Sequence, residues 1–102
     1  MAEMNLEKRK YEVIYFLNPT LNEEDTNAAV AKTEEFIKSL GGSIDRTEKL
    51  GKKRLAFVIN KFKDAHHVIT HFELPANQIV ELKQSYKIFE PMIRNFITRK
   101  AV

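Results

Sequence analysis

Residues 55–74 read LAFVINKFKDAHHVITHFEL and have the pattern of a β-hairpin. The apolar run from Leu55 to Ile59 is typical of a strand, and Lys61 to Asp64 supply a polar turn. Ala65 to Leu74 forms the returning strand, because its residue types alternate between two faces. One face carries Val68, Thr70, Phe72 and Leu74, and the other carries His67, Ile69, His71 and Glu73.

The stretch before this hairpin lengthens its first strand back to Ser43. Residues 43–50 have no strong apolar face, and Gly51 then interrupts the pattern. We interpret Ser43 to Asn60 as one long strand that is bent or bulged near Gly51. We expect its polar half to project beyond the body of the fold.

A strand and a helix come earlier in the chain. Tyr11 to Leu17 alternates between two largely apolar faces, which indicates a central strand, and Asn18-Pro19 ends it. A helix should begin near Thr20 to Asn22, where two pairs have the spacing of a capping box, Thr20 with Glu23 and Asn22 with Asp25. Its apolar stripe consists of Thr26, Val30, Thr33, Ile37 and Leu40, and Gly41-Gly42 ends it.

A second helix and a last strand follow the hairpin. Pro75 suits the first turn of a helix, on which Ile79, Leu82 and Tyr86 recur on one side. Glu90-Pro91 breaks the chain. Met92 to Arg99 is the last strand, and the pattern leaves its inward face open, since Phe96 competes with Ile93 and Ile97.

The element order is therefore strand, helix, strand, strand, helix, strand. With right-handed crossovers this order predicts an α+β, ferredoxin-like βαββαβ two-layer sandwich, with two helices on one face of a four-stranded antiparallel sheet. We expect one domain over residues 1–102, with 1–7 and 100–102 flexible. The first and third strands should be central. This places Ile14, Phe16, His67 and Ile69 together on the face without helices, where an apolar patch favours a docking surface over scattered surface residues.

Composition excludes several classes of protein. The 102 residues contain no Cys, which excludes disulfide-stapled scaffolds, Cys-based zinc modules and thiol enzymes. Charges interrupt every window long enough to span a membrane, and the polar start is unlike a signal peptide. We therefore expect a cytoplasmic protein without a membrane partner.

The charge is unevenly distributed. The formal net charge is only +3. Arg46 to Lys63, however, holds seven basic residues against a single acidic one, a net charge of +6. Smaller basic groups lie at Lys8 to Lys10 and at Arg94, Arg99 and Lys100. This clustering is typical of a polyanion-binding surface, and equally of a solvated hairpin whose lysines protect a strand edge.

The segment Gly51-Lys52-Lys53-Arg54-Leu55-Ala56-Phe57-Val58-Ile59-Asn60 resembles the signature of the bacterial small-subunit ribosomal protein S six family. Tyr11 to Val13, Asn18-Pro19, Lys61 to Leu74 and Met92 to Arg94 also match in order and spacing. The resemblance covers residues 9–99. It departs at Phe57, where the family usually has Tyr, and the acidic tail of some members is missing.

The resemblance implies a structural component that binds the central domain of small-subunit ribosomal RNA as a heterodimer with ribosomal protein S eighteen. It implies no catalysis, cofactor or small-molecule substrate. Carried onto this sequence, the RNA-binding candidates are basic residues, namely Arg9, Lys10, Lys52, Lys53, Arg54, Arg94 and Arg99. From its predicted exposure, we take the patch of Ile14, Phe16, His67 and Ile69 as the partner contact. A strand would point Lys53 to one face and Lys52 and Arg54 to the other, so we expect that not all three touch RNA.

Other functions fit the same fold. A single-stranded RNA-binding domain of the RNA-recognition type needs a Gly after the base, an aromatic residue next to it and a closing aromatic residue, and the segment 53–60 has none of these at the required positions. An acylphosphatase-like enzyme needs a Gly-rich anion cradle with Arg, and Leu17 to Asn22 holds neither. His67 and His71 would be roughly 13 Å apart on a strand, too far to share a metal ion. The main rival is a protein-binding adaptor whose basic hairpin only aids solubility, and whose binding would be nearly indifferent to salt.

Overall fold

The computed structural model describes residues 8–100. Four strands and two α-helices follow one another in the expected order. They are β1 (Lys8–Leu17), α1 (Glu23–Ser39), β2 (Ser43–Ile59), β3 (Phe62–Pro75), α2 (Ile79–Lys87) and β4 (Met92–Arg99), with a 3₁₀ turn at Ala76–Gln78 before α2.

The strands form one antiparallel sheet in the order β2-β3-β1-β4. This confirms the ferredoxin-like fold and the central position of the first and third strands. The main core lies between the sheet and the helices, where alternate residues of β1 are buried with those of α1 and α2. Its largest side chains include Tyr15, Tyr86, Phe72, Leu17 and Ile37. The opposite face of the sheet, which we call the open face, carries no helix from residues 8–100.

The boundaries of α1 follow from its caps. The Asn22 side chain accepts a hydrogen bond from the Asp25 backbone N–H at 2.7 Å, so the later of the two candidate caps is used. At the other end the Gly42 N–H donates to the Ile37 carbonyl and the Gly41 N–H to the Lys38 carbonyl. This is the Schellman arrangement, and Gly41 at φ 88° provides the left-handed residue that it needs.

In the long hairpin, the half that projects beyond the sheet is not the half that was predicted. The bulge near Gly51 is confirmed, with Gly51 at φ 84° and a register shift beside it. The expectation that the polar half projects is wrong, because Ser43 to Lys52 pair with Glu73 to His66, inside the sheet. β1 ends opposite His66, so residues 53–65 extend past it, and the apolar half of β2 forms the projecting tip.

The tip and the second half of the chain correct three boundaries. The turn is Asn60-Lys61, both at positive φ, rather than Lys61 to Asp64, and β3 already begins at Phe62. Pro75 ends β3 and caps the 3₁₀ turn, so that α2 begins only at Ile79. In β4, Ile97 lies opposite the buried Val13, which settles the inward face.

Two expectations concern the ends of the chain. Residues 1–7 and 101–102, which we expected to be flexible, lie outside the described residues. The Lys100 backbone N–H donates to the Lys10 carbonyl at 2.9 Å, so the described chain remains attached to the sheet up to that point. No helix between residues 8 and 100 is long and apolar enough to cross a membrane.

Candidate nucleic-acid and partner interface

The three neighbouring bases of β2 point to two faces. Lys53 is opposite Ala65, whose side chain belongs to the open face, whereas Lys52 is opposite His66. The His66 ring points to the helix layer, where its Nε2 lies 3.2 Å from the Leu21 carbonyl. By strand alternation, Arg54 lies on the same side of β2 as Lys52. All three bases are exposed, and an RNA backbone that follows one face meets either Lys53 or the other two.

The charge of the hairpin is not neutralised by neighbouring acids. Within residues 8–100, no carboxylate lies within 4.0 Å of any of the seven predicted RNA-binding bases. Arg46, lower on β2, is the base that does form an ion pair, 3.6 Å from Glu48. Lys49 donates to the Asn27 amide oxygen at 2.7 Å instead. The tip therefore presents free cationic side chains to solvent, as a phosphate-binding surface requires.

The fold divides the seven bases between two ends of the sheet. Arg9 pairs with Leu74, nine residues along β3 from the Ala65 that faces Lys53, which is roughly 30 Å of strand. Lys10 and Arg99 lie at the same end as Arg9. The remaining base, Arg94, lies opposite Phe16 near the hairpin. The structure thus places Lys52, Lys53, Arg54 and Arg94 at the hairpin end of the sheet, and Arg9, Lys10 and Arg99 at the other end.

The predicted partner patch is assembled by the register of the two central strands. Ile14 pairs with Ile69 and Phe16 pairs with His67, so that the four side chains occupy neighbouring positions on the open face. The rings of Phe16 and His67 have their centroids 4.6 Å apart. All four side chains are half-buried. Their role in binding a partner stays a prediction.

The patch is larger than the sequence pattern indicated. Phe96 lies opposite Ile14, is 48% exposed, and meets the Phe16 ring edge-on at a centroid distance of 6.1 Å. The Arg94 guanidinium lies 5.9 Å from the centre of the Phe96 ring. Strand alternation alone could have found Phe96 once Ile97 was assigned to the core. The open face therefore combines five apolar or aromatic side chains with a cation at its edge.

The projecting hairpin borders this patch. Leu55 and Ile59 are each 8% exposed and pack with Ala65 in a small second cluster, against which Phe16 and Ile93 rest. An apolar groove results between the hairpin and the sheet. It is lined by Phe16, Arg54, Leu55, Ala56, Phe57, Ile59, His67 and Phe96. No sequence signal indicated this groove, because it depends on how the hairpin packs against Phe16 and Ile93 of the neighbouring strands.

The other end of the open face carries acidic and basic side chains that are joined around His71. The Nε2–H of the buried His71 donates to the Glu48 carboxylate at 2.8 Å, and His71 Nδ1 lies 3.7 Å from a Glu12 oxygen. The hydrogen bond from His71 lowers the pKa of Glu48 below its ordinary value of 4.5. His71 thereby links β1, β2 and β3. Residues 8–100 contain no group of three or more potential metal ligands, and His71 serves in this ion-paired cluster.

The comparison with known families agrees with the sequence resemblance. A family model described as Ribosomal protein S6 matches residues 10–99, which is nearly all of the chain. This chain belongs to the ribosomal protein S6 family. The S6 signature segment of this chain is the projecting half of the hairpin, so the residues that carry the resemblance also form the cationic tip and the groove.

Individual relatives show the same likeness over whole chains. The small ribosomal subunit protein bS6 of Nitratiruptor sp. is 40% identical over 92 residues, which cover 90% of this chain and 71% of the relative. The bS6 protein of Fusobacterium nucleatum is 34% identical over 92 residues, covering 90% of this chain and 98% of the relative. The crystal structure of 30S ribosomal protein S6 from Thermotoga maritima superposes with a TM-score of 0.86 at 25% identity, covering 92% of this chain and 89% of that one.

Proposed function

We propose that this chain is a structural, non-catalytic component of the small ribosomal subunit in the cytoplasm. In this proposal it binds the central domain of small-subunit ribosomal RNA as a heterodimer with ribosomal protein S eighteen. Family membership supports the ribosomal assignment. The observation that carries the binding mode is the projecting hairpin, which places free cations beside an uncovered apolar patch.

The RNA contact is assigned to the hairpin and its neighbour on β4. Lys52, Lys53, Arg54 and Arg94 are exposed and lack acidic partners among residues 8–100. Cations of this kind displace the counterions condensed on a polyphosphate backbone, and the released ions drive binding. A hairpin that reaches beyond the sheet can follow an irregular backbone. Arg9, Lys10 and Arg99 lie at the far end and would touch a second segment of RNA.

The partner contact is assigned to the open face. Ile14, Phe16, His67 and Ile69 form an apolar patch that Phe96 enlarges. Among residues 8–100 no helix covers this face, and the hairpin touches it only at its edge, at Phe16. A contiguous apolar surface of this kind favours burial by another protein. Because Lys53 and Arg94 border the patch, a protein bound there would lie directly beside the RNA.

The RNA contact is tested with a triple variant in which Lys52, Lys53 and Arg54 are replaced by Ala. Filter-binding titrations of the heterodimer on a central-domain RNA fragment should show weaker binding. The slope of log affinity against log salt should fall by about 0.7–0.9 for each lost phosphate contact. Because the register points Lys53 away from Lys52 and Arg54, the single variants should contribute unequally.

The matched control removes the same charge elsewhere. Lys38, Lys83 and Lys87 are exposed on the helix layer, and replacing them by Ala changes the net charge by the same amount. This control should bind RNA almost as the parent chain does. If both triple variants lose affinity equally, binding depends only on net charge and the hairpin assignment is wrong. If neither changes the affinity or its salt slope, the adaptor function replaces the RNA-binding one.

A further inference from the structure

One aromatic side chain of the hairpin is left in solvent by the fold. Phe57 is 61% exposed, whereas its strand neighbours Leu55 and Ile59 are each 8% exposed in the second apolar cluster. Its neighbour Val58 is 57% exposed as well. A phenyl ring in water forgoes the stabilisation that burial provides, so Phe57 adds little to the stability of the hairpin. The position presents a flat π-face on the projecting half of the hairpin.

Phe57 borders two hollows, namely the apolar groove described above and a second hollow that contains cations. Phe57 lines a shallow hollow on the hairpin together with Arg54 and Lys63, beside the small side chain of Ala56. No carboxylate lines this hollow, and neither Arg54 nor Lys63 has an acidic partner within 4.0 Å among residues 8–100. The site thus offers one aromatic surface together with two unneutralised cations.

We propose that this hollow binds one unpaired RNA nucleotide, with its base stacked on the Phe57 ring and its flanking phosphates at Arg54 and Lys63. This inference rests on the proposed RNA-binding function and adds a specific subsite to it. A nucleotide matches both properties of the hollow, because the base supplies a π-face and the backbone supplies negative charge. A protein segment would have to bring an acidic group as well as an apolar one.

The test compares binding of a central-domain ribosomal RNA fragment by heterodimers that carry different residues at position 57. Phe57→Ala should weaken binding about tenfold, as the loss of one base–aromatic stack does. Phe57→Leu should weaken it similarly, because Leu retains apolar area but has no π-face. Phe57→Tyr should bind as the parent chain does, and so should the control Val80→Ala, which truncates an apolar side chain that is 57% exposed on α2. The ring is largely exposed, so these changes should leave the urea unfolding midpoint unaltered.

Fluorescence provides an independent readout, because the chain contains no Trp. In Phe57→Trp the single indole should be quenched when RNA is added to the preformed heterodimer, since a stacked base quenches it. An Ile88→Trp variant, at an 81% exposed position after α2, should not respond.

The outcomes separate the two proposals. If the parent heterodimer binds the fragment but Phe57→Leu binds equally well, the stacking subsite is overturned and the RNA-binding function stands. If the Phe57→Trp emission already shifts when ribosomal protein S eighteen is added alone, a protein covers the ring, and the subsite is again overturned. If the parent heterodimer does not bind the fragment at all, the proposed function itself fails.

Discussion

Two buried tyrosines, Tyr15 on β1 and Tyr86 on α2, lie where the sheet packs against the helices. The Tyr15 hydroxyl lies 3.0 Å from Thr33 Oγ1, and Thr33 in turn donates to the Val30 carbonyl at 2.7 Å. The Tyr86 hydroxyl is buried without a hydrogen-bond partner in the described residues. Burial raises the pKa of Tyr15 to about 12 and also raises the pKa of Tyr86 above 10.0, because a phenolate is poorly solvated in the core.

The raised pKa of Tyr15 predicts a loss of stability in alkali. The folded state favours the neutral phenol, so its contribution is complete below pH 10 and is lost as the pH rises towards 12. Tyr15→Phe should cost about 1 kcal/mol at pH 8, because Thr33 loses one hydrogen bond but still donates to Val30. Its stability should then decline less steeply above pH 10 than that of the parent chain.

Urea denaturation at intervals between pH 8 and pH 12 measures both effects. The titration of lysines affects the two proteins alike, and the difference between their curves therefore reports on Tyr15. Parallel curves over this range would show that the Tyr15 hydroxyl is not desolvated in solution.

At the scale of the element, the hairpin β2–β3 decides most of what is specific to this molecule. Its tip is a two-residue turn, with Asn60 at φ 48° and Lys61 at φ 71°, and Ile59 directly opposite Phe62. This is the geometry of a type I′ turn, in which both central residues are left-handed. Asn tolerates that conformation, whereas Lys is strained in it. The tip therefore stores strain at Lys61 while it holds the apolar strand in place.

Lys61→Gly should relieve this strain and stabilise the protein by about 0.5–1 kcal/mol, because Gly adopts positive φ without a steric penalty. The matched control is Lys63→Gly, which removes the same charge from β3 at a position without positive φ. That control should destabilise the protein, since Gly weakens a strand interior. Thermal unfolding of the two variants should move the midpoint in opposite directions, and a drop in both would contradict a left-handed Lys61.

At the scale of the whole molecule, the sheet divides the surface into a covered face and an open one. The open face carries an apolar patch between a cationic hairpin and the ion-paired cluster around His71. Its extent is decided by register, because Ile14 pairs with both Ile69 and Phe96. A partner protein that buries this patch must therefore contact three strands at once.

Ile69→Asp should prevent pairing with ribosomal protein S eighteen at a cost of roughly 2 kcal/mol or more, as for a charge forced into the core of an interface. Phe96→Asp should do the same, and it places the charge at a more exposed site where the fold tolerates it better. Ile88→Asp makes the same kind of change off the patch and should pair normally. Sedimentation velocity of the mixed proteins measures pairing, and normal pairing by Phe96→Asp would exclude the open face as the contact.

Residue pattern predicted the elements well where local chemistry decides them. The alternation in β1 and the stop at Gly41-Gly42 depend on neighbours within a few residues and are as expected, and the cap at Asn22 is one of the two candidates that the pattern offered. The turn at Asn60-Lys61 was misplaced, because a left-handed Lys is rare and only the pairing of Ile59 with Phe62 reveals it. The start of α2 was placed too early, since Pro75 suits both a strand end and a first helical turn.

By itself, the sequence determined the order of elements, the fold class, the family and the basic character of residues 46–63. These follow from periodicity and side-chain chemistry, which are local properties. Only the tertiary structure decided which half of the hairpin projects, which bases share a surface, and that Phe57 and Phe96 are exposed while Leu55 and Ile59 are not. Strand register and the packing of the hairpin against the sheet depend on contacts between residues far apart in the chain, and alternation within one strand cannot specify them.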